Sequence, residues 1–338
     1  MATIQDVANE ANVSTATVSR VLNGSYSVTV EKKERVMAAI ERVGYQIPNR
    51  IKLNQQGQDA PQAQKKGLIL VICSSYIYPI LHAFQRAAAD MNYQVVSAHY
   101  ENADEFAHLA NLISTISPVL AGIALINCAD NSRKFQELLE PYPVVQIGEP
   151  IMENVPNFVV YNDEIKMAED AAEYLIHLGC RKIGMLTTEP TASTSLFFKK
   201  KRLNGYYLAL MNHDFPVDQT LVEFVDVSIE GGYEGAKKLL SRHADLDAVI
   251  GATDVIAQGA VYAIRRAGKT TQDVKVFSLD NNEVWDFVHG SFPYIDPHHN
   301  EMGDTAAHVL HAGISKELER DYRVVIRHTL HSTRDACV

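Results

Sequence analysis

A short segment near the N-terminus carries side chains that suit the reading of DNA. Apolar residues at helical spacing predict a helix over residues 15–22. On its polar face, Arg20 can form a bidentate hydrogen bond to guanine O6 and N7. Thr15 and Ala16 offer a hydroxyl and methyl groups to base edges. These residue types predict sequence-specific contact with the major groove.

Two further helical patterns flank this segment and would position it. One covers residues 4–11 and the other covers about residues 30–43, and Ser14 is the expected N-cap of the middle helix. Ser14 and Thr17 can also hold a phosphate at that helix N-terminus. Such short helices are stable only when they pack against one another. The arrangement predicts a helix-turn-helix head; a three-helix protein-binding module is the alternative.

The distribution of charge indicates that only this head contacts phosphate. The 338-residue chain has a net charge of −10, which argues against nucleic-acid binding by the whole protein. Residues 1–66 contain nine Lys and Arg against six Asp and Glu, whereas the remainder contains 22 against 35. A basic head on an acidic body suggests that the body has a different task.

Strand and helix patterns alternate through the rest of the chain, after a polar, glutamine-rich linker. The predicted strands cover residues 68–73, 94–98, 122–126, 144–147, 182–187, 221–225, 248–250 and 274–279. The predicted helices cover residues 79–92, 105–116, 132–140, 198–212, 231–242 and 255–267. Strands that are apolar on both faces and are each followed by a helix predict parallel sheets.

The fold class is therefore α/β, with two similar lobes formed by two consecutive series of strands. Each lobe is expected to be a doubly wound parallel sheet, with a ligand cleft at the carboxyl ends of the strands. The predicted domains are the head, residues 1–46, a hinge or linker, residues 47–66, and a two-lobed body, residues 67–338.

The sequence lacks the features of a membrane protein, a secreted protein or a common hydrolase. Its longest strongly apolar run, residues 67–73, is far shorter than the roughly 20 residues that span a bilayer. There is no visible secretory signal, and the four scattered cysteines fit reduced thiols. The motifs GxxxxGK(S/T), HExxH and GxSxG are absent. We expect a soluble, cytoplasmic protein that is not an enzyme and uses no cofactor.

Four histidines near Asp296 could be considered a metal site: His298, His299, His308 and His311. His308 and His311 share a helix face, but no pair has the i, i+4 spacing and no cysteine joins them. A solvated helix face is the favoured interpretation, so no metal is expected.

Motifs along the whole chain match one known family. Residues 1–8 and 11–23 carry its head sequence, residues 177–184 resemble its G-H-x-x-I segment, and residues 202–206 resemble its R-x-x-G-(Y/F/W) helix. Further signatures follow in order at residues 253–259, 279–281 and 301–303. The chain thus closely resembles the lactose and galactose repressor (LacI/GalR) family over essentially its full length.

The resemblance implies a homodimeric transcription regulator, usually a repressor, with a body like a periplasmic binding protein. Two heads on a dimer would bind a pseudo-palindromic operator in double-stranded DNA. The effector would be a sugar, sugar phosphate or nucleoside, because a guanidinium and a carboxylate together can bind adjacent hydroxyls. A solute-binding receptor without a role in transcription is the alternative, and a sugar-modifying enzyme is the third hypothesis.

The resemblance also assigns residues to two sites. The residues expected to contact DNA are Ser14, Thr15, Ala16, Thr17, Ser19, Arg20, Asn23 and Gln55. The residues expected to contact the effector are Ser74, Ser75, Tyr76, Arg202, Thr253 and Asp280. A surface salt bridge is the alternative role for Arg202, and a helix cap is the alternative for Asp280.

Three segments depart from the family pattern. Residues 226–228 lack the usual aromatic residue after the Asp, and residues 292–298 replace the usual L-T-T-(V/I)-x-Q-P, so a hexose is not a safe assumption. The linker is about five residues longer than in the purine repressor pattern. Gln55 takes the place of the leucine that wedges into the minor groove. We expect a loose hinge; Leu53, two residues earlier, is the alternative wedge.

Overall fold

The computed structural model describes residues 3–22, 30–43, 67–74, 78–100, 103–128, 130–148, 158–188, 197–281, 292–319 and 321–332. The chain divides into two compact units, Met1–Lys65 and Lys66–Val338. The predicted domain boundary at residue 46 and the predicted linker, residues 47–66, lie outside the described residues.

In the described residues of the first unit, three helices are present: α1 (Ile4–Ala11), α2 (Thr15–Leu22) and α3 (Val30–Val43). Thr3 and Asp6 begin α1 with a capping box, in which the Asp6 amide donates to Thr3 Oγ1 and the Thr3 amide donates to Asp6 Oδ2. The three helices share one core, made by Val7, Ala8, Ala11, Val18, Val21, Val36, Ala39 and Ile40. The predicted helices are confirmed.

Arg35 on α3 connects the third helix to the turn between the first two. Its Nη2 donates to the Ala11 carbonyl at 2.7 Å and to the Asn12 carbonyl at 3.1 Å. Carbonyls in the last turn of a helix lack a partner within that helix, so the guanidinium satisfies groups that would otherwise need water. We expect Arg35 to fix the angle of the helix-turn-helix against α3.

The second unit contains two six-stranded sheets, which define a first and a second lobe. The strands of the first lobe are β1 (Gly67–Cys73), β2 (Tyr93–His99), β3 (Leu120–Ile126), β4 (Val144–Ile147), β5 (Phe158–Tyr161) and β11 (Arg323–Val325). The strands of the second lobe are β6 (Ile183–Thr187), β7 (Val222–Phe224), β8 (Ala248–Gly251), β9 (Lys275–Ser278), β10 (Tyr294–Asp296) and β12 (Thr329–His331).

Helices connect these strands and cover the sheets. Within the described residues they are α4 (Tyr78–Asp90), α5 (Phe106–Ile116), α6 (Arg133–Leu139), α7 (Glu164–His177), α8 (Phe197–Asn212), α9 (Ile229–Arg242), α10 (Asp254–Arg266) and α11 (His299–Ile314). Short 3₁₀ helices cover Ala103–Glu105, Ser117–Val119 and Gln219–Leu221. In the described part of the chain no helix is long and apolar enough to cross a membrane.

The strand order is β11-β5-β4-β3-β1-β2 in the first lobe and β12-β10-β9-β8-β6-β7 in the second. The strand pairs are parallel, except that β12 pairs antiparallel with β10. The last five residues of β1 and all of β6 are buried on both faces, as the continuous apolar runs predict. The predicted α/β class with two lobes is confirmed.

The prediction of two consecutive series is wrong in one respect, because the chain crosses between the lobes three times. The crossings follow β5, β10 and β11. After β10 the chain returns to the first lobe, where α11 packs against α4. The two helices approach so closely at Gly303 that an added Cβ would lie 2.2 Å from the Ile80 carbonyl oxygen. Neither lobe is therefore a continuous stretch of sequence.

Candidate DNA-contact helix and ligand site

The helix α2 carries most of the residues expected to contact DNA. The Thr17 amide donates to Ser14 Oγ at 3.2 Å, and the two hydroxyls lie 2.9 Å apart, so Ser14 caps the helix as expected. Thr15 begins the helix and is half-buried. The side chains outside the described part of the structure are those of Ala16, Ser19, Arg20, Asn23 and Gln55.

Arg202 is buried in the second turn of α8, at the carboxyl edge of the second-lobe sheet. Its Nε donates to Glu164 Oε2 at 2.5 Å, and its Nη1 donates to the carbonyl of Ala252, the residue after β8. Burial disfavours the charged guanidinium, but the attraction and hydrogen bond of Glu164 outweigh it and raise the pKa of Arg202. Arg202 is thus held as a cation in a fixed orientation, by a buried ion pair and not by a surface salt bridge.

Asp280 lies two residues after β9, at the same edge of the sheet. Its Oδ1 accepts the Asn281 amide at 2.8 Å and lies 3.8 Å from His299 Nδ1. In the described part of the structure, its Oδ2 makes no hydrogen bond. The helix-cap alternative concerns residues 282–291, which lie outside the described residues.

The electrostatic surroundings of Asp280 oppose its ionisation. Burial raises the pKa of Asp280, while the nearby His299 and Arg202 act in the opposite direction and Asp254 adds to the rise. The Asp280 side chain nevertheless keeps 22% of its surface exposed. A partly exposed carboxyl group with a raised pKa is typical of a group placed for function more than for stability.

Thr253 lies at the same edge, directly after Ala252, whose carbonyl accepts from Arg202. Its Oγ1 accepts the Ile256 amide at 3.5 Å and so caps α10. In residues 226–228, which lack the aromatic residue usual in the family, Val227 is half-exposed. Ser228 caps α9 by accepting the Gly231 amide at 2.9 Å. The structure thus gives Thr253 and Ser228 local roles at helix starts.

The first lobe brings Ser74 to the carboxyl end of β1. Ser74 Oγ donates to the Asn127 carbonyl at 2.5 Å, and its own carbonyl oxygen lies 3.2 Å from His99 Nε2. These contacts join the ends of three neighbouring strands, β1, β2 and β3. The other two residues expected here, Ser75 and Tyr76, lie outside the described residues.

Sequence reasoning missed two residues of the second-lobe cluster, Glu164 and His299. Glu164 starts α7, whose N-cap Asp163 accepts the Lys166 amide at 3.1 Å, and the helix carries a regular apolar stripe. That pattern could have revealed the helix and its acidic first turn. The pairing with Arg202, 38 residues later, leaves no local signal.

The interpretation of the four histidines as a solvated face is correct only for His308, which is exposed. His299 is 17% exposed and faces Asp280, and His311 Nδ1 lies 2.9 Å from the Tyr93 hydroxyl. His298 Nε2 lies 2.7 Å from Thr329 Oγ1. The correction arises because α11 packs against α4 and the strands of the first lobe, so only one side of it meets solvent.

A helix-turn-helix unit, together with a two-lobed unit whose polar side chains gather at the carboxyl ends of its strands, defines the class of ligand-responsive DNA-binding regulators. Residues 3–49 match the family described as "Bacterial regulatory proteins, lacI family". Residues 70–334 match "Periplasmic binding proteins and sugar binding domain of LacI family". The chain therefore belongs to the LacI family and is a DNA-binding transcriptional regulator, as the sequence predicts.

Similar proteins extend over nearly the whole chain. The HTH-type transcriptional regulator MalR of Streptococcus pneumoniae is 28% identical over 288 residues, which cover 82% of this chain and 83% of that protein. Catabolite control protein A of Priestia megaterium is 27% identical, with 93% of each chain covered. The solved transcriptional regulator CelR-cellobiose complex is 25% identical, covers 98% of each chain and has a TM-score of 0.70.

Proposed function

We propose that a sugar or sugar derivative binds in the cleft between the lobes and thereby controls the affinity of the head for operator DNA. The observation that carries this proposal is the placement of Asp280 and Arg202 at the same edge of the second-lobe sheet, each near enough to influence the pKa of the other. Asp280 presents a carboxyl oxygen without a protein partner in the described structure, and Glu164 holds Arg202 charged and oriented at the same sheet edge. A carboxylate accepts two hydroxyl hydrogens and a guanidinium donates to hydroxyl oxygens, which suits a polyol.

Two relatives support the carbohydrate class of ligand. One is the CelR structure, which is a complex with cellobiose, and the other is the ribose operon repressor of Escherichia coli, which is 26% identical with 92% of each chain covered. Ser74 and Thr253 would add contacts from the two lobes, together with Ser75 and Tyr76. The residue types at 226–228 and 292–298 argue against the usual hexose, so sugar phosphates and nucleosides are also tested.

The proposed regulator has the head, residues 1–46, the linker, residues 47–66, and the body, residues 67–338. As a homodimer, it would bind the two halves of a pseudo-palindromic operator with two copies of α2. Because the relatives are named as regulators and not as enzymes, we propose no catalytic activity. Because the proposed regulator binds operator DNA, we expect it in the cytoplasm.

A thermal-shift screen followed by DNA binding tests the proposal. Sugars, sugar phosphates and nucleosides are screened with the full chain, and a binding site is selected from randomised DNA. A compound that raises the melting temperature should also change the affinity for the selected site. If a stabilising compound leaves DNA affinity unchanged, the body does not control the head.

The variant Arg20→Ala tests base reading by α2. It should weaken binding to the selected operator by about 1–3 kcal/mol and relax specificity mainly at one guanine position, since a bidentate contact is lost. Gel-shift titrations with operator and random DNA measure both effects. Equal losses on the two DNAs would mean that Arg20 contacts only phosphate.

The linker prediction concerns residues outside the described structure. Since Gln55 lacks an apolar wedge and the linker is long, we expect weak operator bending and tolerance of one or two base pairs inserted between the half-sites. Gel shifts on such operators measure this tolerance. A loss of affinity above about tenfold, or 1.4 kcal/mol, that also depends on Leu53 would contradict the loose hinge and favour Leu53 as the wedge.

A further inference from the structure

Three backbone crossings connect the lobes. One buried side chain, which lies in one of these crossings, is hydrogen-bonded to the other two. The first crossing, residues 162–163, follows β5; the second, residues 297–298, follows β10; and the third, residues 326–328, follows β11. Asn162 Nδ2 donates to the Pro297 carbonyl at 3.0 Å and to the Ile326 carbonyl at 2.9 Å. The amide group therefore joins all three crossings.

Other hydrogen bonds support this junction in pairs. The Ile326 amide donates to the Tyr161 carbonyl at 2.8 Å, which joins the third crossing to the first. His298 Nε2 lies 2.7 Å from Thr329 Oγ1, which joins the second to the third. Among the described contacts, the side-chain amide of Asn162 is the group that reaches every crossing.

The environment of Asn162 makes these two bonds costly to lose. The residue is 5% exposed, and both acceptors are backbone carbonyls. A buried carbonyl without a donor costs free energy, so the amide favours arrangements in which the crossings stay together. Lobes that close around a ligand rotate about such connections, and the backbone dihedrals of a few residues there absorb the change.

The same junction is close in sequence to the candidate ligand site. Pro297 is bonded to Asn162 and lies two residues before His299, whose ring faces Asp280 at 3.8 Å. His298, between them, has a left-handed backbone with φ of 55°, which makes the path from the junction to His299 a tight turn. A shift of Pro297 would therefore also shift His299.

We propose that Asn162 is the pivot of the body: a positioning residue that keeps the three crossings together while the lobes rotate and that places His299 against Asp280. The inference goes beyond the proposed function, because it concerns the movement of the lobes and holds whichever molecule the cleft binds. A purely structural asparagine would instead stabilise both lobes without favouring the crossings.

Hydrogen exchange of the full chain separates these two roles. We compare Asn162→Leu, which has no donor, and Asn162→Ser, which keeps a single donor, with the wild type. The control is Asn212→Leu, because Asn212 Nδ2 makes one exposed bond to Glu169 Oε1 at 3.1 Å. Peptides that cover residues 292–300 and 321–332 report the crossings, and peptides that cover β1 and β8 report the two sheets.

If Asn162 is the pivot, amide hydrogens at the crossings should exchange about tenfold faster in Asn162→Leu than in the wild type. The increase in Asn162→Ser should be smaller. Exchange in β1 and β8 should change much less, and Asn212→Leu should match the wild type. Equal acceleration in the crossings and the sheets would make Asn162 a structural residue and overturn the proposal. Unchanged crossings would overturn it too. If Asn162→Leu does not fold, the comparison in Asn162→Ser decides between these outcomes.

Discussion

Replacement of Asp280 by Asn should raise the melting temperature of the unliganded protein and abolish its response to the effector. Burial raises the pKa of Asp280, so the ionised carboxylate is less stable in the folded protein than in the unfolded chain. Asparagine removes that charge and can still accept the Asn281 amide. It loses a charged acceptor for hydroxyl groups, and we expect effector affinity to fall about a hundredfold or more, roughly 2.7 kcal/mol.

The pH dependence gives this prediction a second measurement. Because the folded pKa of Asp280 lies above its ordinary value, the wild type regains stability as the pH falls through that folded pKa. The difference in melting temperature between Asp280→Asn and the wild type should therefore be largest near neutral pH and shrink in acid. Thermal melts from pH 7 downward follow this trend.

Asp273→Asn is the matched control. The Thr270 amide and hydroxyl donate to the Asp273 carboxylate and lower its pKa, so this substitution should not stabilise the protein and should leave the effector response intact. If Asp280→Asn instead lowers the melting temperature across this pH range, Asp280 contributes to stability and its assignment to the ligand site loses its main support.

Replacement of Arg202 by Met should destabilise the body by about 3–5 kcal/mol, because it leaves Glu164 buried without its cation. The two side chains are only 5% and 14% exposed, so solvent cannot replace the partner. The double variant Arg202→Met, Glu164→Leu should recover much of the stability, since it removes both charges. Denaturant unfolding of the wild type, the two single variants Arg202→Met and Glu164→Leu, and the double variant measures this coupling.

The two Arg202 variants also separate stability from ligand binding. Both should lack the effector response, although the double variant is the more stable of the two. Lys200→Met, an exposed neighbour on α8, should change stability by less than about 0.5 kcal/mol and keep the response. Additive losses in the double variant would show that Glu164 and Arg202 do not interact strongly.

Elements with a strong local pattern were predictable from the sequence. The apolar runs of β1 and β6 lie on central strands, where both faces are buried, and Ser14 is followed by a helix because its hydroxyl satisfies the Thr17 amide. Asp280 was placed at a strand end by resemblance to the family. Its position after β9 agrees with that expectation, and its contact with an effector is still a prediction.

Long-range pairing was not predictable from the same patterns. Glu164 and Arg202 meet across 38 residues, and Asn162 bonds to carbonyls 135 and 164 residues away. Asn162 and His299 are polar and do not belong to an apolar repeat, so the sequence pattern gives no sign of their roles. Those roles depend on which lobe each segment joins. That assignment follows from strand pairing near the end of the chain, where β11 and β12 are only three residues each.

The pairing of β11 with β5 has a consequence for synthesis on the ribosome. Val159 in β5 is paired with Arg323, so the edge of the first-lobe sheet stays open until 164 more residues have been made. At about 5–20 residues per second, that interval lasts roughly 10–30 s. During this time the nascent chain exposes an apolar strand, Phe158–Tyr161, to other polypeptides. The need for chaperones during translation should therefore depend on how late the three-residue strand β11 is synthesised.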